Sequence, residues 1–213
     1  ESVDAVVISH MHPDHCFDLI PFSYALLYGA HPDFSRMAPD PDPPMISPSL
    51  YLPPEGSENL RKIASVWGHE QLVDTAFSTS DYDPDTVLEL GPFNLRFCFV
   101  PHFIPTYAVE VVEKATSKRM VFSADLAPSQ AFIKFAHKAD LLLIEATLTE
   151  PEIHGDRGHL TVAEAVEHAQ AAAVKRAILT HISRDLDFLM VSQIAGDSAL
   201  PISVAYEGAA YDL

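Results

Sequence analysis

At 213 residues the chain has room for one domain with a sizeable apolar core, and no apolar run approaches the roughly 18 residues needed to cross a membrane. Its 13 Lys and Arg against 30 Asp and Glu give a formal charge of -17. Such a surface repels polyanions and disfavours non-specific nucleic-acid binding, which works by neutralising phosphates with basic side chains. The only two cysteines, Cys16 and Cys98, are too few for a disulfide framework; they point to a reducing, cytoplasmic setting and to core packing.

In chain order, the apolar run "VDAVVIS" stops at His10. Residues 14 to 29 then look helical after Pro13, with Pro21 expected to kink or interrupt them. Residues 36 to 55 are too rich in proline for regular structure beyond a short edge strand around "SLYL". They are expected to be a stiff surface loop, or else a rim or lid beside a site. The stretch "SENLRKIASVWG" predicts a helix with Ser57 as N-cap and Gly68 closing it. "LRFCFV" stops at Pro101-His102, and the interval to Asp125 reads as a strand, a turn at "KATSK" and the strand "RMVFSA". "PSQAFIKFAHKA" is amphipathic, "ADLLLIEA" carries Glu145 near its end, and Thr161 with Glu164 forms a capping box ahead of an Ala-rich helix. "KRAILT" stops at His181. Strands alternating with helices predict a single α/β layered domain over residues 1 to 213, without repeat or internal boundary.

The stretch "SHMHPDHCFDL", residues 9 to 19, concentrates metal-ligand chemistry. In extended chain, residues two apart point the same way, so His10 and His12 can share one ion. Pro13 turns the chain into a helix start, which frees Asp14 and His15 to serve a second. Imidazole and carboxylate donors suit Zn, Fe, Mn or Ni. His102, Asp125 and His181 then recur at the ends of later strands. His31, His69, His137, His154 and His168 have no such context and are expected as surface or helix histidines.

The H-x-H-x-D-H string "HMHPDH", followed by those three strand-end residues, resembles the metallo-β-lactamase superfamily over nearly the whole chain. The resemblance implies an αββα sandwich with a dinuclear site between its sheets. It makes His10, His12 and His102 the ligands of a first metal, Asp14, His15 and His181 those of a second, and Asp125 the bridge. Two divalent ions are implied, zinc first, with manganese or iron as alternatives. It further implies a first sheet lacking its opening strands, since in that superfamily several strands precede the one leading into the motif; "PISVAYEGAAYDL" matches a usual C-terminus. One departure stands out: the bridging Asp commonly sits in S-G-D-T or S-G-D-S, whereas "SADLA" places Leu126 where a hydroxyl would be.

The second half, "ADLLLIEATLTE" and "GHLTVAEAVEHAQAAAVKRAILTHISR", resembles ribonuclease Z and its phosphodiesterase relatives. In that branch a histidine before the last long helix is catalytic, here His159 in "GHLT". At a helix N-terminus it would stand beside free backbone N–H groups and the positive macrodipole end, where a phosphate could rest. The implied reaction is phosphodiester hydrolysis by a hydroxide held between two cations. His159 would donate the proton, Glu145 would orient it, and Asp14 would join the catalytic group as well as the ligand set. Ribonuclease Z grips tRNA with a long arm inserted between the third metal motif and the bridging Asp, and the short interval from His102 to Asp125 leaves no room for one. The favoured substrate is a small phosphodiester, a cyclic nucleotide foremost. Alternatives are tRNA 3′ processing, or thioester, lactone or sulfate-ester hydrolysis on the same metals; a degenerate binding scaffold fits poorly with an intact ligand set. The family likeness also allows a homodimer; no membrane partner is expected.

Overall fold

Parallel strands need crossovers of a dozen or more residues, and helices usually supply them. The first unit of the chain is built that way. The computed structural model describes residues 3–28 and 47–213, which fall into two compact units, Glu1–Asp83 and Pro84–Leu213. In the first, β1 (Ala5–Val7) is followed by α1 (Pro13–Cys16), α2 (Leu19–Tyr28), β2 (Ser49–Leu52), α3 (Gly56–Ser65), α4 (Leu72–Ala76) and β3 (Ser78–Asp81). The strands form a three-stranded parallel sheet in the order β1-β2-β3, with Leu50 paired to Val6 on one side and Thr79 on the other. Leu50 and Leu52 are fully buried, among Ile8, Leu60 and Phe77.

Three expectations need correcting here. "SLYL" is the central strand of its sheet and not an edge. Pro48 and Pro53 lie just outside the paired residues, so neither removes a ladder donor. Pro21 does not break its helix: it is the third residue of α2, in the first turn, where a missing N–H costs no intrahelical bond. The interruption falls earlier, at Phe17 and Asp18. Ser57 is not the N-cap of α3, which starts at Gly56 with Glu55 at the cap position. The Asp81 carboxylate at the end of β3 accepts from the Ser57 N–H at 2.9 Å and from its hydroxyl. Gly68 closes the helix as expected, in the left-handed region at φ +70. His31 and residues 36–46 of the Pro-rich stretch, with its rim-or-lid reading, lie outside the described residues.

The second unit holds β4 (Leu88–Leu90), β5 (Phe93–Val100), β6 (Thr106–Glu113), β7 (Arg119–Phe122), α5 (Gln130–Phe135), β8 (Leu141–Glu145), α6 (Val162–Ala171), β9 (Ala177–Thr180), α7 (Phe188–Gly196) and β10 (Ile202–Val204). Its seven-stranded sheet runs β10-β9-β8-β7-β6-β5-β4. From β4 to β7 neighbours are antiparallel, and from β7 to β10 they are parallel. Strand β8, "LLLIE", is buried along nearly its whole length, the pattern of a parallel strand covered on both faces. Phe132, Leu142, Ile144, Leu160 and Leu179 form the centre of this core with no exposed surface. Ser129 caps α5, accepting from the Phe132 N–H, and the capping box of Thr161 and Glu164 on α6 is fully formed.

This topology positions the site. Because β5 and β7 are both antiparallel to β6, β5 runs the same way as β7, β8 and β9. All four therefore end at one edge of the sheet, and His102, Asp125, Glu145 and His181 stand at or just past those ends. Ligands of open α/β sheets bind outside the carboxyl ends of their strands. Among the described residues no helix is long and apolar enough to cross a membrane.

Candidate metal centre

Each unit carries one cluster of ligand-type side chains. In the first, β1 leads into extended chain that the Tyr82 hydroxyl steadies by donating to the Ile8 carbonyl at 3.1 Å. His12 keeps an extended backbone (φ -66, ψ 148) at the cap position of α1, and Pro13 follows at the first helical position, where its fixed φ suits a helix start. The His10 ring is fully buried, with Nδ1 3.1 Å from the Ser9 hydroxyl. Its centroid lies 4.9 Å from that of His12 and 4.1 Å from that of His15. The Asp14 carboxylate is 3.5 Å from His15 Nε2. The four residues of the string are thus gathered at one strand end.

In the second unit the centre is Asp125, 2 % exposed. Its Oδ2 lies 3.4 Å from His181 Nε2, 4.0 Å from His102 Nε2 and 4.0 Å from His159 Nδ1. Two of these rings are aimed by their other nitrogen. His102 Nδ1 is 2.7 Å from the Gly158 carbonyl, which can only accept, so Nδ1 carries the hydrogen and Nε2 keeps its lone pair toward Asp125. His181 Nδ1 is 2.8 Å from the Thr147 hydroxyl, which itself donates to Glu145 at 2.6 Å. That chain makes Thr147 the acceptor from His181 and again leaves Nε2 as the donor atom for a metal. Orienting partners of this kind accompany most metal-ligating histidines.

Glu145 is the hub of the second unit's cluster. Fully buried, it accepts from the backbone N–H groups of Leu126 at 2.8 Å, Leu160 at 3.2 Å and Thr147 at 3.3 Å, besides the Thr147 hydroxyl. Its Oε1 is 3.0 Å from His159 Nδ1. Burial alone would push the His159 pKa down. The hydrogen bond and charge of Glu145, with Asp125 and Glu152 beyond it, outweigh that and hold it above the ordinary imidazole value. Leu126, in the departure from S-G-D-T, is fully buried and contributes its backbone N–H instead of a hydroxyl. Ala124 (φ 53) and His181 (φ 52) adopt left-handed backbone that non-glycine residues reach only at a cost. Such strain beside clustered histidine and carboxylate side chains is typical of sites the surrounding fold over-determines.

Divalent metals fit the second unit's residues by donor type and spacing. Nitrogen and oxygen donors about 2.1 Å from one tetrahedral ion stand roughly 3.4 Å apart, the separation found between His181 and Asp125. Donor atoms of Asp125, His159 and His181 all fall within 4.8 Å of one another.

The helix N-terminus is more occupied than the sequence suggested. Most N–H groups there have partners: ahead of the helix Gly158 and His159 donate to Glu152, Leu160 to Glu145 and Thr161 to Glu164, and in its first turn Val162 donates to the Leu148 carbonyl and Glu164 to the Thr161 hydroxyl. Three carboxylates, Glu145, Glu152 and Glu164, crowd the approach to α6 and work against an anion there. Thr147, Gly158 and Glu152 were not foreseen, since a lone Thr, Gly or Glu carries no pattern. Of the remaining histidines, His69, His137 and His154 are exposed. His168 is a buried helix residue that accepts from the Ser129 N–H at 3.1 Å and donates to the Glu164 carbonyl. Cys16 is buried in the first core, its thiol pushed up to about 11 by burial and by Asp14, and Cys98 packs partly buried against the second.

Residues 1–182 match the family model described as beta-lactamase superfamily domain. The probable metallo-hydrolase YhfI of Bacillus subtilis (strain 168) is 28% identical over 190 residues, covering 85% of this chain and 67% of its own. Its crystal structure, described as a metallo-beta-lactamase fold protein, superposes with a TM-score of 0.74 at 24% identity, over 96% of this chain and 76% of that one. A ribonuclease Z of Brevibacillus brevis is 40% identical over 92 residues, which are 40% of this chain but 29% of the enzyme. Unliganded yeast PDE1 shares the fold, with a TM-score of 0.64 at 13% identity over 95% of this chain and 66% of that one.

Proposed function

The chain belongs to the beta-lactamase superfamily, as a metallo-hydrolase of metallo-β-lactamase fold, and from that premise we propose that it hydrolyses a small phosphodiester, a cyclic nucleotide foremost, in the cytoplasm. The proposed ligands are His10, His12 and His102 for one divalent ion, Asp14, His15 and His181 for a second, and Asp125 for both, with zinc the first choice. Such ions supply a nucleophile active at neutral pH and polarise a phosphoryl oxygen.

The chain's own residues do the rest. Gly158 and Thr147 fix the tautomers of His102 and His181, so both rings present a lone pair without reorganisation. His159 is the proton donor. With Nδ1 hydrogen-bonded to Glu145, its Nε2 is the nitrogen left to protonate the departing oxygen, and the neighbouring carboxylates favour the imidazolium that can do so. The observation that carries the reading is that His159, 4.0 Å from the proposed bridging Asp125, is paired with the buried carboxylate of Glu145.

A small substrate is favoured because β6 and β7 are joined by a tight turn at residues 114–118, so nothing shaped like a tRNA-gripping arm lies between His102 and Asp125. The test is a substrate panel on metal-replete protein, comparing bis-p-nitrophenyl phosphate, cAMP, a tRNA precursor, a thioester and an aryl sulfate. Turnover should be highest on the first two. Efficient tRNA 3′ processing, or preference for the thioester or sulfate ester, would overturn the reading.

A further inference from the structure

We propose that Phe103 is the platform on which an aromatic part of the substrate, such as a nucleobase, stacks, and so sets specificity beyond the phosphate. The inference rests on the phosphodiesterase reading above. Phe103 follows His102 directly and is 51% exposed. A single exposed apolar side chain needs no explanation by itself; the way this one is seated does. Its ring lies against Gly158, where an added Cβ would fall closer than 3.0 Å to three ring carbons. The glycine therefore lets the ring approach closely the backbone that also orients His102. On its other sides the ring meets imidazoles: its centroid is 5.0 Å from that of His102 and 5.8 Å from that of His159, the latter edge-on at 67°.

A ring seated by backbone beneath and by two histidines alongside has its position set before anything binds, while half its surface faces solvent. The proposed proton donor is within one ring's width, so a phosphodiester whose departing oxygen meets His159 carries its substituent past Phe103. An aromatic substituent can stack there, and stacking tolerates any base because every base has a π-face. An aliphatic one gains little.

The test compares AMP and ribose 5-phosphate as competitive inhibitors of bis-p-nitrophenyl phosphate hydrolysis by metal-replete protein. The two share phosphate and sugar and differ in the base. Wild type should bind AMP about tenfold or more tightly than ribose 5-phosphate. Phe103→Ala should erase that preference with metal content unchanged, and Phe103→Tyr should keep it. If Phe103→Ala weakens both inhibitors equally, or leaves the ratio intact, the platform is wrong although the phosphodiesterase reading stands. If wild type does not hydrolyse the diester at all, that reading falls, and this one with it.

Discussion

Asp125, His159 and Thr147 stand within one connected cluster around Glu145 yet are assigned different tasks, and single substitutions separate them. As the proposed bridge between both ions, Asp125 should be indispensable, so Asp125→Ala should abolish bound metal and activity together. His159→Ala should leave metal content near normal and cut turnover about a hundredfold, the usual range for a lost general acid. Metal analysis alongside kinetics decides this, and metal loss in His159→Ala would make the residue a ligand. The third case is a positioning residue. Thr147 accepts from His181 Nδ1 and donates to Glu145, so Thr147→Val keeps the shape but frees the imidazole to choose its tautomer. Metal affinity should fall about 10- to 100-fold, the usual effect of losing an orienting partner. Competition with a chelator would measure it, and an unchanged affinity would show that His181 is held by other means.

Among the elements, β5, β6 and β7 share a buried charge that no apolar core explains. Glu110 on β6 is fully buried between Arg96 and Arg119, 2.5 Å from each, and Arg119 also donates to the Phe135 and His137 carbonyls at and just past the end of α5. Burial pushes the Glu110 pKa up, but the hydrogen bonds and charges of both arginines outweigh it and hold the carboxyl below the ordinary 4.5. A carboxyl depressed in the folded state stabilises above its unfolded pKa, and that contribution is lost as pH falls through the folded value. Glu110→Ala, which leaves two partly exposed arginines without their carboxylate, should therefore cost roughly 1–3 kcal/mol at neutral pH. In urea melts the penalty should shrink as pH falls below about 4, and a pH-independent penalty would contradict the pairing. Legibility at this scale follows how local the signal is. The strand-end histidines and Asp125, and the capping box of α6, could be read because each lies within a few residues of the pattern that announces it. The central place of β2 could not, because Pro48 and Pro53 colour the whole stretch while sitting outside the paired residues. Nor could the hold of Gly158 on His102, which joins residues 56 positions apart, or the carboxylates that take up the N–H groups leading into α6, whose partners arrive only through tertiary folding.

For the whole molecule, the charge of -17 sets how substrate arrives and how salt acts. Even with two divalent ions bound, the balance stays strongly negative, so the long-range field opposes an anionic substrate and strains the folded chain by self-repulsion. Raising salt from about 0.01 to 0.15 M shortens the screening length from roughly 30 to 8 Å. Both penalties should then ease: the urea midpoint should rise without a change in slope, and KM for an anionic phosphodiester should hold steady or fall. An enzyme that grips tRNA through many phosphate contacts behaves in the opposite way, since each contact displaced by counterions weakens binding steeply with salt. Steady-state kinetics on cAMP across that range therefore probe the substrate class independently of any substitution. A KM that climbs steeply with salt would mean that the chain meets its substrate through a basic surface after all.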